Sequence, residues 1–188
     1  MLKIIFSSNV FKDNTDIIDL ESLKYFKANK SLKVPANASS GFFWGCTNLR
    51  NVNIENFILQ DFSNWGWGGT NPFNGCINLE TVTLSKNQNL TRIPNYLFAG
   101  GCSKLKLNNL DESVTSIGYY AFQGCSSLDW THLPDNIISI EDNAFNGCSS
   151  LEISTLPSAL TTVGNSAFLN CSSCNITNLP DNLIIPSL

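Results

Sequence analysis

The sequence predicts an α/β repeat protein: a solenoid of coils of about 23 residues, with short parallel strands and short helical or 3₁₀ turns. Three observations carry this. Cys46, Cys76, Cys102, Cys125, Cys148 and Cys171 mark a period, and the last four are spaced by 23 residues. Phe43, Phe73, Phe122, Phe145 and Phe168 precede their Cys by three positions, and Leu49, Leu79, Leu105, Leu128 and Leu151 follow theirs by three. Finally, 43% of the 188 residues are apolar and only 14% charged, which is too apolar for disorder, with a polar surface made largely of Ser, Thr and 25 Asn. One residue class recurring at one phase is what a stacked core demands. A lone coil cannot bury its apolar side chains, so its neighbours must cover them.

Each part of the coil has its own signature. Ile93, Ile117, Ile140 and Val163 recur ahead of the Phe, and Ala121, Ala144 and Ala167 immediately before it, in a segment expected to form a helical or 3₁₀ turn. Phe98 stands one residue further from its Cys, so a one-residue insertion falls at Gly100-Gly101. Gly45, Gly75, Gly101, Gly124, Gly147 and Asn170 precede the Cys. Gly and Asn best tolerate positive φ, so a sharp left-handed corner is expected there. A short strand is then expected through the Leu positions. Leu-Pro at Pro134, Pro157 and Pro180 ends it, because Pro fixes φ and lacks an N–H. A second extended piece carries Ile137, Leu160 or Leu183. Strands of adjacent coils should pair in parallel about 4.8 Å apart. Val52 and Val82 in the early coils give way to Leu107, Trp130, Ile153 and Ile176 one position earlier, so the inward side chains shift near Cys102.

Residues 1–33 read as an N-terminal cap, with Leu20, Leu23 and Phe26 forming a degenerate first coil and Lys24, Lys27, Lys30 and Lys33 on a solvated face. Residues 34–188 read as the solenoid, about six coils with the last incomplete. This body holds five basic residues against eleven acids, which excludes the clustered cations of a nucleic-acid surface. No apolar run reaches the roughly 18–20 residues needed to span a bilayer, so no membrane insertion is expected. Met1 to Phe6 is too short an apolar stretch for a secretory signal.

The strings Ala144-Phe145-Asn146-Gly147-Cys148-Ser149-Ser150-Leu151 and Leu133-Pro134-Asp135-Asn136-Ile137-Ile138-Ser139-Ile140 resemble the BspA-like leucine-rich repeats of bacterial and protist surface proteins. The resemblance covers about residues 34–188 and is strongest over 93–183. It implies a leucine-rich-repeat solenoid that serves adhesion or ligand recognition at a cell surface or outside the cell. It transfers no catalytic residue. Members of the family usually carry a signal and anchoring modules, neither of which is visible here.

Functional residues are sought where the period breaks. The interval before Cys76 is seven residues longer than the regular period and contains Phe62-Ser63-Asn64-Trp65-Gly66-Trp67-Gly68-Gly69-Thr70. Trp65 and Trp67, with Trp44 as a neighbour, are the candidate ligand-binding residues, since exposed aromatics anchor interfaces and suit flat sugar faces. The alternative is that they fold back and pack. The seven Cys read as a ladder of buried free thiols, because each takes the same slot and Cys behaves as a small hydrophobe. Cys171-Ser172-Ser173-Cys174 has no second pair with which to hold zinc, and no metal or cofactor is expected. His132, the sole His, lacks the partners of a nucleophilic site and reads as a surface residue. No enzyme is expected. The chain reads as a recognition or adhesion module for a protein or glycan, using the solenoid surface and the Trp-rich loop. The alternative is a structural subunit of a larger assembly such as a phage or virus particle or a surface layer. End-to-end contact through residues 176–188 is expected to be available in either case.

Overall fold

The computed structural model describes residues 11–21, 42–55, 71–84, 90–108 and 110–184. Among the described residues, seven short strands appear in chain order: β1 (Asp19–Leu20), β2 (Asn51–Asn53), β3 (Thr81–Thr83), β4 (Arg92–Ile93), β5 (Ser116–Ile117), β6 (Ser139–Ile140) and β7 (Thr162–Val163). They form two parallel sheets, β1-β2-β3 and β4-β5-β6-β7. The register places Leu20, Val52 and Val82 in one row and Ile93, Ile117, Ile140 and Val163 in another. A parallel bridge from Thr162 to Ile184 extends the second row.

The two sheets lie on different limbs of the coil. In β2 and β3 the strand follows the Cys corner, as the sequence suggests. In β4 to β7 it precedes the Ala-Phe segment, so the expectation of a strand through the Leu positions of every coil is corrected. On that limb the later coils are joined by separated bonds, such as Ser127 N–H to Ser103 O at 3.0 Å and Glu152 N–H to Trp130 O at 2.9 Å. The reason lies in the next residues. Asp111, Pro134, Pro157 and Pro180 each open a turn, closed by Val114, Ile137, Leu160 and Leu183 at 3.0, 3.2, 3.0 and 3.0 Å. That turn bends the chain before a ladder can extend, and the straight run after it pairs instead.

Among the described residues the Ala-Phe segment forms no α-helix; of the expected helical or 3₁₀ turn it keeps isolated bonds to the third residue back. Alternate amides have different partners. Ala121, Gln123 and Cys125 donate three residues back, to Gly118, Tyr120 and Phe122, at 3.2, 3.2 and 3.0 Å. Tyr120, Phe122 and Gly124 donate to Asp142, Ala144 and Asn146 of the next coil at 3.1, 2.8 and 2.8 Å. An α-helix needs successive amides bonded within itself. Here every second one is committed to a neighbour.

The core is a stack of identical rungs. Phe11, Phe43, Phe73, Phe98, Phe122, Phe145 and Phe168 stack in succession with centroids 5.0–5.6 Å apart. Phe73, Phe98, Phe122 and Phe145 are completely enclosed. Trp130 meets Phe122 edge-on at 5.2 Å, and its indole N–H donates to Leu107 O at 2.6 Å. Residues 11–21 repeat the same unit. Phe11 lies parallel to Phe43, Asp13 with φ of 56° takes the corner position, Asn14 takes the Cys position, and Leu20 pairs with Val52. Leu23, Phe26 and the four Lys from Lys24 to Lys33 lie outside the described residues.

Candidate functional site

The interior is committed to the fold. All seven Cys are free thiols, and the six in the corner slot are buried. Each of those six donates its S–H to the carbonyl of the Phe one coil earlier. The Sγ to O distances are 2.7, 2.9, 3.5, 3.8, 3.1 and 3.0 Å for Cys46, Cys76, Cys102, Cys125, Cys148 and Cys171. The carbonyl's other lone pair is used locally; Phe122 O, for instance, also accepts Cys125 N–H at 3.0 Å. Burial raises every one of these thiols: Cys46 to about 11 and Cys102 to about 12, with Cys125 well above the usual range. A thiol held protonated in the core, as at the five of these slots with no exposed surface, is a poor nucleophile and metal ligand. The described residues contain no cluster of three or more His, Cys, Asp or Glu able to hold a metal ion.

The outward side chains form the surface on which a partner could sit. On the first sheet, Asn51 joins Asp19 and Thr81 in one row, with hydrogen bonds of 3.1 and 2.7 Å. On the second, the row is Arg92, Ser116, Ser139 and Thr162. Arg92 reaches along it to Glu141, two coils away, at 2.7 Å and also donates to Asn95 Oδ1 at 2.8 Å. Both ion-pair partners are largely covered, and Glu141 Oε2 is buried with no hydrogen-bond donor among the described residues.

Beside this row runs a ridge built by the residues just past the strands. Its members at one phase are Tyr96, Tyr120, Asn143 and Ser166, all with positive φ of 58°, 54°, 56° and 56°. The corners at Gly45, Gly75, Gly101, Gly124, Gly147 and Asn170 are also positive, as their residue types suggest. The ridge is different: Asn accepts this conformation readily, but a bulky Tyr pays for it. Tyr96 and Tyr120 nevertheless occupy it twice in succession, with rings stacked 5.1 Å apart at 7°. Tyr119 alongside is 43% exposed. A strained, partly exposed aromatic pair that the other coils do without is not required by the repeat.

The sequence-derived candidates fare differently. Trp44 is half-buried, and Lys12 Nζ lies over its ring at 5.8 Å. Trp65 and Trp67 lie outside the described residues. His132 is exposed beside Thr131, 3.2 Å from its hydroxyl, on a segment that is not a strand. The Tyr ridge and the Arg92–Glu141 pair were not singled out from sequence. The available signal was Tyr at a phase where other coils hold Asn or Ser.

No helix among the described residues is long and apolar enough to cross a membrane. A family model described as BspA type leucine-rich repeat region matches in six copies over residues 22–110 and 91–187. A leucine-rich repeat protein from Bacteroides ovatus, of known crystal structure, is 26% identical over 78% of this chain, with a TM-score of 0.56. One from Eubacterium ventriosum is 22% identical over 79% of the chain, with a TM-score of 0.55, a likeness of fold alone. The chain spans 38% of the length of each. No curated protein matches it. The chain belongs to the BspA-type leucine-rich repeat family.

Proposed function

We propose that this chain is a non-catalytic recognition module that binds a protein or glycan on its solenoid surface. The observation that carries the proposal is the Tyr96–Tyr120 stack beside exposed Tyr119. The four later coils all adopt positive φ at this phase, but these two fill it with Tyr, a residue the conformation disfavours, and residues held in disfavoured conformations cluster at functional sites. Tyr and Arg are enriched among residues that dominate binding energy. Family membership supports the reading, since repeat solenoids present extended binding surfaces. Trp65 and Trp67, with Trp44, enter the proposal as a second contact on the lengthened coil. The test is a screen of printed glycans and phage-displayed peptides against the wild type, the Y96N/Y120N variant and the W65A/W67A variant. Binders lost in Y96N/Y120N with unchanged melting support the ridge. Binders lost only in W65A/W67A move the site to the Trp loop, and binders insensitive to both refute the proposal.

A further inference from the structure

We infer that Cys171 and Cys174 form a dithiol site that reacts with a low-molecular-weight disulfide and closes an internal disulfide in their coil. Four observations converge on this pair. Cys174 N–H donates to Cys171 O at 3.1 Å, closing a four-residue turn. Such a turn holds its end Cα atoms within about 7 Å, the range a disulfide spans. Both side chains point into the same coil: Cys171 Sγ lies 3.0 Å from Phe145 O and Cys174 Sγ 3.1 Å from Leu151 O. The two thiols are also near enough to influence one another's ionisation.

The fourth observation is access. Cys46, Cys76, Cys102, Cys125 and Cys148 have no exposed surface, whereas Cys171 retains 8% and Cys174 is half-buried. Cys174 also stands where five other coils carry Leu49, Leu79, Leu105, Leu128 and Leu151, so the repeat does not require a thiol there. The polarity of the pair follows from its surroundings. Burial raises both thiols, and Cys174, the more exposed of the two, is the one a small disulfide in solvent reaches first.

The chemistry is an exchange. Cys174 loses its proton to solvent, and its thiolate attacks one sulfur of the small disulfide. That S–S bond breaks, one thiolate leaves and takes up a proton, and a mixed disulfide remains on Cys174. Cys171 then loses its proton and attacks Cys174 Sγ, forming the internal S–S bond and expelling the second small thiolate, which is protonated in turn. Two protein thiols are oxidised, and one small disulfide is reduced to two thiols. The new bond removes both S–H donors, so Phe145 O and Leu151 O lose those partners. Oxidation therefore loosens this coil without touching the fully enclosed thiols.

The test uses the full chain, fully reduced, incubated with excess oxidised glutathione at mildly alkaline pH and quenched in acid. The expected result is loss of the mass of two hydrogen atoms, mapped to one peptide holding Cys171 and Cys174, with five of the seven thiols still titratable in denaturant. Cys174→Leu, which restores the repeat's own residue, is expected to keep its circular dichroism and show no such loss. The proposal is overturned by an unchanged mass, by a glutathione adduct that does not resolve, or by a bond joining other cysteines such as Cys148 and Cys171.

Discussion

Alkaline pH should unfold this protein through its thiols, and the size of the effect can be worked out for Cys102. An unfolded thiol has its ordinary value of 9.0, whereas Cys102, without exposed surface, is pushed up to about 12 by burial. The folded value lies above the unfolded one, so the folded state holds the proton more tightly. The stability this represents is intact below 9.0 and is lost as pH rises toward about 12. Near pH 10 the unfolded thiol is mostly ionised and the folded one is not, which costs about 1–2 kcal/mol for this one group. Cys76, Cys125 and Cys148 are raised by the same cause. Four such thiols would together remove several kcal/mol, a large share of a typical total of roughly 5–15 kcal/mol. The assay is urea unfolding at neutral pH and near pH 10, on the wild type and on Cys102→Ala. The variant is less stable at neutral pH, but its further loss on going to the higher pH should be smaller than the wild type's by about 1–2 kcal/mol. Equal losses in the two proteins would refute the reasoning, because the enclosed thiol would then not be withholding its ionisation.

Further substitutions probe the packing. Gly118→Ala would put a Cβ 2.7 Å from Asn95 N and 2.8 Å from Ile93 O, so backbone must move. Gly124→Ala, at φ of +78° with open space around it, meets only conformational strain of about 1–2 kcal/mol. Denaturant midpoints should therefore fall further for Gly118→Ala, and the reverse order would contradict the steric account. Phe122→Ala removes a ring stacked on both sides and should cost about 3–5 kcal/mol. Phe168→Ala, half-buried and, among the described residues, stacked only on Phe145, should cost less by the same measurement.

Much of the architecture is legible in the residues. Gly45 through Asn170 announce their corners because positive φ has a strong residue preference, and the Phe and Cys phases announce the core because stacking repeats one environment. Which limb forms the sheet is not legible. Both limbs carry apolar residues, and the choice depends on where the turn at Asp111 or Pro134 bends the chain. The Ala-Phe segment reads as helical because its composition suits a helix. The cross-coil bonds of Tyr120, Phe122 and Gly124 depend on a neighbouring coil that local sequence does not register. The same holds for the thiols: Cys148 reads correctly as a small buried residue, but its bond to Phe122 O joins positions 26 apart. The candidate site was the least legible part. Tyr96 and Tyr120 sit in a conformation that their residue type argues against, and Arg92 finds Glu141 two coils away.

The claim most open to direct test is that the Tyr ridge, and not the repeat framework, carries recognition. Replacing Tyr96 and Tyr120 by Asn gives the ridge the residue found at Asn143 at the same phase and the same positive φ. It relieves strain of about 1–2 kcal/mol per site and forfeits ring stacking of about 0.5–1.5 kcal/mol. The measurement is the affinity of a wild-type-selected peptide or glycan for the Y96N/Y120N variant, with the melting temperature taken on the same sample. The account predicts at least a tenfold loss of affinity at a melting temperature equal to or above that of the wild type. Retained affinity, or a loss that merely follows a collapse in stability, would contradict it.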